Sequence, residues 1–454
     1  MKFYSQVGQD RFLFESFFRG KRDGVFVEVG AYDGETFSNT LFFEQTMGWT
    51  GLLIEPIPSV FERLTARRNA ICENTCVSDF EGEAEFVDSD AGIDEKMLSG
   101  LAQTFDPRHV ARVKHVASGV VMRKLPVTRL SKLLEKHQLF HVDYMSIDTE
   151  GAELSILKEL DFDRFHISVL TIENNYDDPR IAELMISKGY EYVGKIEQDY
   201  LFKRPELKRQ PRTSVICSVW HGDPKRLELL RGHQENLARQ TVPIQPVYVF
   251  DSGDTVPDWL EGRAIATREK LTIYQAWNVA LSMVDTPLVM NLNLDDRLAP
   301  NGVELLENEI SGSNAAAIGG EWRIRYSQAD TDDVEPCYTA DRLGFDAAWP
   351  PQNGMDTRLG SGTGERQTLG PAVMWRMQAH IGAPRFPYRL SDGTLLQVAG
   401  DAAWWHLLKH HHKARLARIP VVIGNYHSHP SEQGEFRMPA NEMDLLQQQE
   451  LSLI

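Results

Sequence analysis

Three acids, Asp148, Glu150 and Glu153, fall around Gly151 directly after the apolar run Tyr144–Ile147. Carboxylates placed where a strand ends and a helix begins line the crevice in which open α/β sheets hold ligands. Acids in that position can take a proton from a hydroxyl or hold a hard divalent cation. Upstream, Phe26-Val27-Glu28-Val29-Gly30-Ala31-Tyr32-Asp33-Gly34 is a second apolar run that enters a glycine turn, and Glu55 closes a third. Glycine lets backbone come close to a ligand, and the following helix offers free amides. Three residues separate Gly30 from Gly34, which departs from the G-x-G-x-x-G dinucleotide fingerprint and argues against a nicotinamide enzyme.

The second half carries its own set. Asn293, Asp295 and Asp296 follow the apolar run Pro287–Leu292, Asp251 closes Pro246–Asp251, and Asn278 lies in the helical stretch before the acidic strand. Such carboxylates can carry a divalent cation that neutralises a diphosphate leaving group. Gly400-Asp401 reads as a helix start, with Asp401 as an ordinary cap. Tyr426-His427-Ser428-His429-Pro430 follows the apolar run Val421–Ile423. Trp404 and Trp405 could stack on a sugar, although tryptophans entering a helix are more often core. His410, His411 and His412 are neighbours that point in different directions on a helix, so they read as a solvated helix end.

These residues need strands and helices in alternation to position them. Strands are expected at Gly24–Val29, Gly51–Glu55, Thr75–Val77, Ala84–Val87, Tyr144–Asp148, Ser168–Glu173 and Tyr190–Ile196. Helices are expected at Ser38–Met47, Pro58–Asn69, Leu130–His137 and Ala152–Leu160. The polar insertion Asp88–Lys124 reads as a lid. Lys203–Arg212 is polar, basic and proline-bearing, the character of a linker. Beyond it the alternation restarts with Ser214–Val219, a helix at Pro224–Gln240 and a helix at Ile273–Val284. The expected fold class is α/β in two domains, residues 1–205 and 213–454, joined by residues 206–212.

Composition bounds the rest. The 454 residues exceed a single ordinary core. A net charge of −17 argues against a general nucleic-acid binder. Four scattered cysteines do not make a disulfide framework and read as free thiols in a reducing compartment. No leader and no membrane span is evident in the sequence. The expected location is cytoplasmic, with the inner face of the membrane open through a lipid-linked acceptor or a partner.

Motifs in the first half resemble the FkbM family of S-adenosylmethionine-dependent O-methyltransferases. They are Ser5-Gln6-Val7-Gly8-Gln9-Asp10 (with Gln9 where an acid is usual), Ser38-Asn39-Thr40, Gly48–Pro56, Ile147–Glu153 and Ile172-Glu173. The resemblance implies a Rossmann-like class I methyltransferase sheet that binds S-adenosylmethionine through Gln6, Glu28, Gly30, Asp33, Gly34, Asn39, Glu55 and Asp148. It also implies O-methylation of a sugar or natural-product hydroxyl, with Asp148 or Glu150 as base. His137, His141 and His166 stay open as alternative bases. A divalent cation on the acids stays open as well, and Glu153 reads equally as a helix N-terminal acid.

The second half resembles GT-A glycosyltransferases of the family 2 type, with Asn293 in the first place of the usual D-x-D-D motif. That resemblance implies Asp251, Asn278, Asn293 and Asp295 on the nucleotide sugar. It implies manganese or magnesium on Asp295 and Asp296 with His427, and Asp401 as acceptor base in an inverting transfer. Thr368–Arg376 would be the acceptor-side strand. The two halves together imply a bifunctional enzyme of surface-glycan biosynthesis. Its partners would be a nucleotide sugar donor and a glycan or lipid-linked glycan acceptor, without nucleic acid, and with peripheral association to a polysaccharide assembly complex allowed. One alternative keeps the methyltransferase and makes the second half a non-catalytic glycan-binding module. Another makes the chain a scaffold with both pockets degenerate.

Overall fold

The computed structural model describes residues 1–89, 98–116, 119–342, 346–347, 358–359, 369–381, 383, 385–390, 393–397 and 400–428. The chain forms two compact units, Met1–Lys208 and Arg209–Ile454. Each is built on its own α/β sheet.

In the first unit the strands are β1 (Val25–Val29), β2 (Thr50–Ile54), β3 (Ile71–Glu73), β4 (Cys76–Val77), β5 (Gly82–Ser89), β6 (Gly100–Leu101), β7 (Val120–Thr128), β8 (His141–Ile147), β9 (His166–Glu173), β10 (Glu191–Ile196) and β11 (Asp199–Lys203). The main sheet has the order β10-β11-β9-β8-β1-β2-β3. β1, β2, β3, β8 and β9 pair in parallel, while β11 runs antiparallel to β9 and β10. Parallel strands covered on both faces read as continuous apolar runs, and β1 shows why. Phe26 packs with Leu53, Tyr144 and the aromatic cluster of Phe42, Phe43 and Trp49 on one face, and Val27 with Leu52 and Met145 on the other. From β1 the chain winds outward both ways, so the switch point of the sheet lies between β1 and β8.

The insertion is more structured than a polar lid. β5 and β7 pair antiparallel, β6 adds to β5, and helix Pro107–Val116 follows. The first helix after β1 is also shorter than expected, at Leu41–Met47. Ser38, Asn39 and Thr40 form the turn before it, because Glu28 holds that turn from the sheet.

In the second unit the strands Thr213–Val219, Ile244–Phe250, Arg263–Ala266 and Leu288–Asn291 pair in parallel. Val373–Arg376 then pairs antiparallel with Leu288–Asn291 and with Ala317–Arg325. Here the switch point lies between Thr213–Val219 and Leu288–Asn291. Part of the segment read as a linker is packed within this unit. Arg209 and Arg212 are ion-paired to the buried Glu307, at 2.7 and 3.7 Å. Among the described residues no helix is long and apolar enough to cross a membrane.

Candidate functional site

At the carboxyl ends of β1 and β8 the first unit holds an open cavity of about 600 Å³. Gly30 sets its floor with φ +87°, and a Cβ there would stand 1.8 Å from the Asp148 carbonyl oxygen. Only glycine allows the two strand ends to meet so closely. The Gly30 and Ala31 amides donate to the Ile54 carbonyl oxygen, both at 3.0 Å, which locks the turn to β2.

Of the residues expected to bind a methyl donor, Gln6, Glu28, Gly30, Asn39, Glu55 and Asp148 line this cavity. Glu28 does so as an organiser. Its carboxylate accepts hydrogen bonds from the Asn39 amide (2.8 Å), the Thr40 hydroxyl (2.5 Å) and the Ser38 hydroxyl (3.0 Å), beside the buried Arg68 guanidinium at 3.7 Å. Burial raises its pKa, and Arg68 and these donors work against the rise. The knot fixes Asn39, whose Nδ2 donates to Ser146 Oγ at 3.0 Å and whose Oδ1 is buried with no hydrogen-bond partner. Glu55 accepts from the Tyr32 and Ile57 amides at 3.0 and 2.8 Å, and burial pushes it up to about 7.

Asp33 and Gly34 do not line the cavity. The Asp33 carboxylate is taken by the Glu35 and Thr36 amides and by Arg67, and Gly34 packs against Leu64 and Arg68. Both therefore shape the turn rather than face the space.

Asp148 and Glu150 follow β8, and Glu173 ends β9, so three carboxylates meet with one oxygen of each within 4.8 Å of the others. Asp148 is exposed, but to the cavity that it lines. Desolvation, and then the charge of Asp199, push Asp148 up to about 7. Desolvation and then Asp148 push Glu150 and Glu173 well above the usual carboxylate range. Glu173 and Asp148 are close enough to share a proton, which favours the neutral form of Glu173. Glu150 sits at φ +57° before Gly151 at +131°, a turn that aims its side chain inward. Glu153 holds that turn, accepting from the Thr149 amide and hydroxyl and the Gly151 amide at 2.8, 2.7 and 3.1 Å.

Four wall residues, Glu173, Gln9, Asp199 and Arg112, lay outside the sequence reading of the site. Glu173, quoted only as part of a motif, joins the acids because β9 neighbours β8. Gln9 donates from Nε2 to Asp199 at 2.7 Å, so the amide at this position complements an acid that another acid would oppose. Arg112 lines the cavity from the insertion helix. No local signal marks Asp199 or Arg112 in the sequence. The alternative bases lie elsewhere: His141 and His166 begin β8 and β9 at the opposite end of the sheet, and His137 pairs with Glu73 at 2.6 Å.

In the second unit Asp251 is buried at the end of its strand and accepts from the His221 amide at 2.8 Å. Asn293 and Asp295 are half-buried beyond Leu288–Asn291. Asp401 accepts from the Tyr274 hydroxyl (3.1 Å) and the Ala402 amide (2.8 Å), and burial raises its pKa.

Other expectations need correction. The Asn278 amide group is spent on the backbone of Phe386, donating at 2.9 Å and accepting at 3.0 Å. Among the described residues Asp295, Asp296 and His427 do not bring ligand atoms together as a cation site would. Asp296 is fully buried and accepts the His427 amide at 2.9 Å, while His427 Nδ1 pairs with the Thr331 hydroxyl at 2.8 Å. Trp404 and Trp405 pack with Trp375 and Phe386, a core cluster. His429 and Thr368 lie outside the described residues.

Residues 28–192, about a third of the chain, match the family model of the methyltransferase FkbM domain. The first unit thus carries a methyltransferase-family domain, set in an α/β protein. No curated protein matches the chain. Among solved structures, the chain is similar to Staphylococcus aureus TarS 1-349 in complex with UDP-GlcNAc, at 15% identity and a TM-score of 0.37, covering 53% of this chain and 66% of that one. It is also similar to the mannosyltransferase PcManGT from Pyrobaculum calidifontis in complex with GDP-Man and Mn2+, at 14% identity and a TM-score of 0.32, covering 50% and 60%. The chain spans less than two thirds of the length of each.

Proposed function

We propose that the first unit transfers a methyl group from S-adenosylmethionine to a sugar hydroxyl. We further propose that the second unit transfers a sugar from a nucleotide donor with inversion. One observation carries the first half: a cavity at a sheet switch point, with a glycine floor and three acids on one wall, all within a segment that matches a methyltransferase family. The residues fit the cofactor. Asn39 Oδ1 is a buried acceptor awaiting a donor, and Glu55 keeps lone pairs for ribose hydroxyls. Its size is that of a small-molecule site.

When bound, the cofactor supplies an electrophilic methyl on a sulfonium. Gln6, Gly30, Asn39 and Glu55 hold and orient it. Asp148, with a pKa near 7, is poised to take the acceptor's proton, and Glu150 is the second candidate. Leu98, Ser99 and Arg112 of the insertion line the cavity and would give the acceptor a defined wall.

For the second unit, support comes from Asp251 and Asp295 at strand ends around the switch point. Asp295 would hold the donor diphosphate through manganese or magnesium, and Asp401, aimed by Tyr274, would be the acceptor base. The acceptor would be a glycan or lipid-linked glycan met in the cytoplasm or at the inner face of the membrane. A second reading makes this unit a non-catalytic glycan-binding module. It is favoured by Asn278 and Asp296, whose polar atoms bond to the chain's own backbone.

Calorimetric titration with S-adenosylhomocysteine, and separately with UDP or GDP plus manganese, tests both halves. Saturable binding of each class, with the nucleotide lost in Asp295→Ala, supports two working sites. S-adenosylhomocysteine binding alone moves the second unit to the binding-module reading, and binding of neither ends both proposals.

A further inference from the structure

Six acids line the cavity of the first unit, Glu28, Glu55, Asp148, Glu150, Glu173 and Asp199, and Arg112 is the one basic side chain among the described residues that line it. Helix Pro107–Val116 of the insertion carries this arginine. Two neighbours fix the helix. His109 is fully buried with Nε2 3.0 Å from the Leu98 carbonyl oxygen, and Val113 packs with Val87 and Leu98. Arg112 lies one turn after His109, so the anchored face of the helix presents it to the cavity.

The two arginines of this helix are used differently. Arg108 donates from Nε and Nη2 to the Asp106 carboxylate, both at 2.9 Å, and lies over the Tyr176 ring at 4.4 Å. Arg112 is exposed and makes no hydrogen bond or ion pair with another described residue. Its charge reaches Glu150, where it opposes the rise in pKa caused by desolvation and the neighbouring acids. That carboxyl is already engaged. Its Oε2 accepts from Asn175 Nδ2 at 3.2 Å and stands 3.3 Å from His109 Nδ1, a contact that one shared proton satisfies. Desolvation keeps Glu150 and Glu173 protonated at neutral pH, so neither balances Arg112 nor repels an anion.

We propose that Arg112 is a specificity-determining residue that selects an acceptor bearing a carboxylate or phosphate group, as in a uronic acid or a sugar phosphate. A guanidinium offers a planar fork of N–H donors that matches these anions two bonds at a time. Held on an anchored helix, it loses little freedom when it binds. On the methyl-transfer reading, which this assignment rests on, a hydroxyl of the same sugar lies at Asp148 while its anionic group is received by Arg112. A neutral sugar leaves the fork unfilled and forfeits that contact.

The test titrates the full chain with glucuronate, glucose 6-phosphate and glucose, followed by saturation-transfer NMR, with and without S-adenosylhomocysteine. At least one of the two anionic sugars should bind at least about tenfold more tightly than glucose. Arg112→Gln should bring it down to the level of glucose, with an unchanged melt and unchanged S-adenosylhomocysteine affinity. The two anions separate a carboxylate-bearing from a phosphate-bearing acceptor. Equal binding of all three sugars, anion binding that survives Arg112→Gln, or no sugar binding at high millimolar concentration overturns the proposal. Weaker S-adenosylhomocysteine binding in Arg112→Gln, with sugar binding unchanged, also overturns it and gives the guanidinium to the cofactor carboxylate. Arg112-dependent anion binding in a chain that binds no S-adenosylhomocysteine sustains the anion site and overturns the methyl-transfer reading alone.

Discussion

Gly30 and Asp148 meet backbone to backbone: a Cβ on Gly30 would stand 1.8 Å from the Asp148 carbonyl oxygen. The cavity floor on β1 and the acid wall on β8 are thus one joint, and neither can shift without the other. Gly30→Ala must break this contact and also adopt φ +87°. We expect a loss of about 2–4 kcal/mol of stability and no detectable S-adenosylhomocysteine binding. Thermal melts and calorimetry read the two effects, and a variant that binds like the parent refutes the joint.

Glu28 and Asn39 separate by what they do. Asn39→Ala removes the unpartnered Oδ1, so it should weaken S-adenosylhomocysteine at least about tenfold with a small change in melting temperature. Glu28→Gln disturbs a buried carboxylate beside Arg68 and should destabilise the unit by about 3 kcal/mol. Equal effects of the two on melting would contradict this division.

Glu55 predicts a pH dependence of stability. Its folded pKa is about 7 against an ordinary 4.5, so the fold favours the neutral form. That preference is fully present below pH 4.5 and is lost as pH rises through about 7, at a cost of up to about 3 kcal/mol. Without ligand, Glu55→Gln should flatten this part of the curve, seen as a smaller melting-temperature difference between pH 5 and pH 8. A parallel shift of both proteins would remove Glu55 as the source.

In the second unit, Asp401→Asn keeps the hydrogen bond from Tyr274 but not the base. Glycosyl transfer should fall by about 10²–10⁴-fold while UDP affinity is unchanged. Asp296→Ala should instead lower the melting temperature, since it strips a buried acceptor from the His427 amide, at about 1–3 kcal/mol. A variant of Asp296 that melts normally but loses nucleotide would restore it to the donor site.

The apolar runs Phe26–Val29, Leu52–Ile54 and Tyr144–Ile147 were legible as parallel strands because burial on both faces leaves no polar alternation. The acids after them were legible too, since a strand end followed by a glycine turn is a local pattern. So was the order of motifs in the first half, which the family match over residues 28–192 supports.

Partnership was not legible. Whether an acid faces a ligand or the chain itself depends on residues far away in sequence. Asp33 turns to Arg67, Asp296 to His427, and Asn278 to Phe386, each engaged by its own fold. Glu173 and Asp199 reach the cavity only because β9 lies beside β8 in the sheet and β11 beside β9. Sequence alone determined which residues could carry charge at the ends of strands. Strand order and desolvation, which exist only once the sheet has closed, decided which of them share a site and which hold their protons.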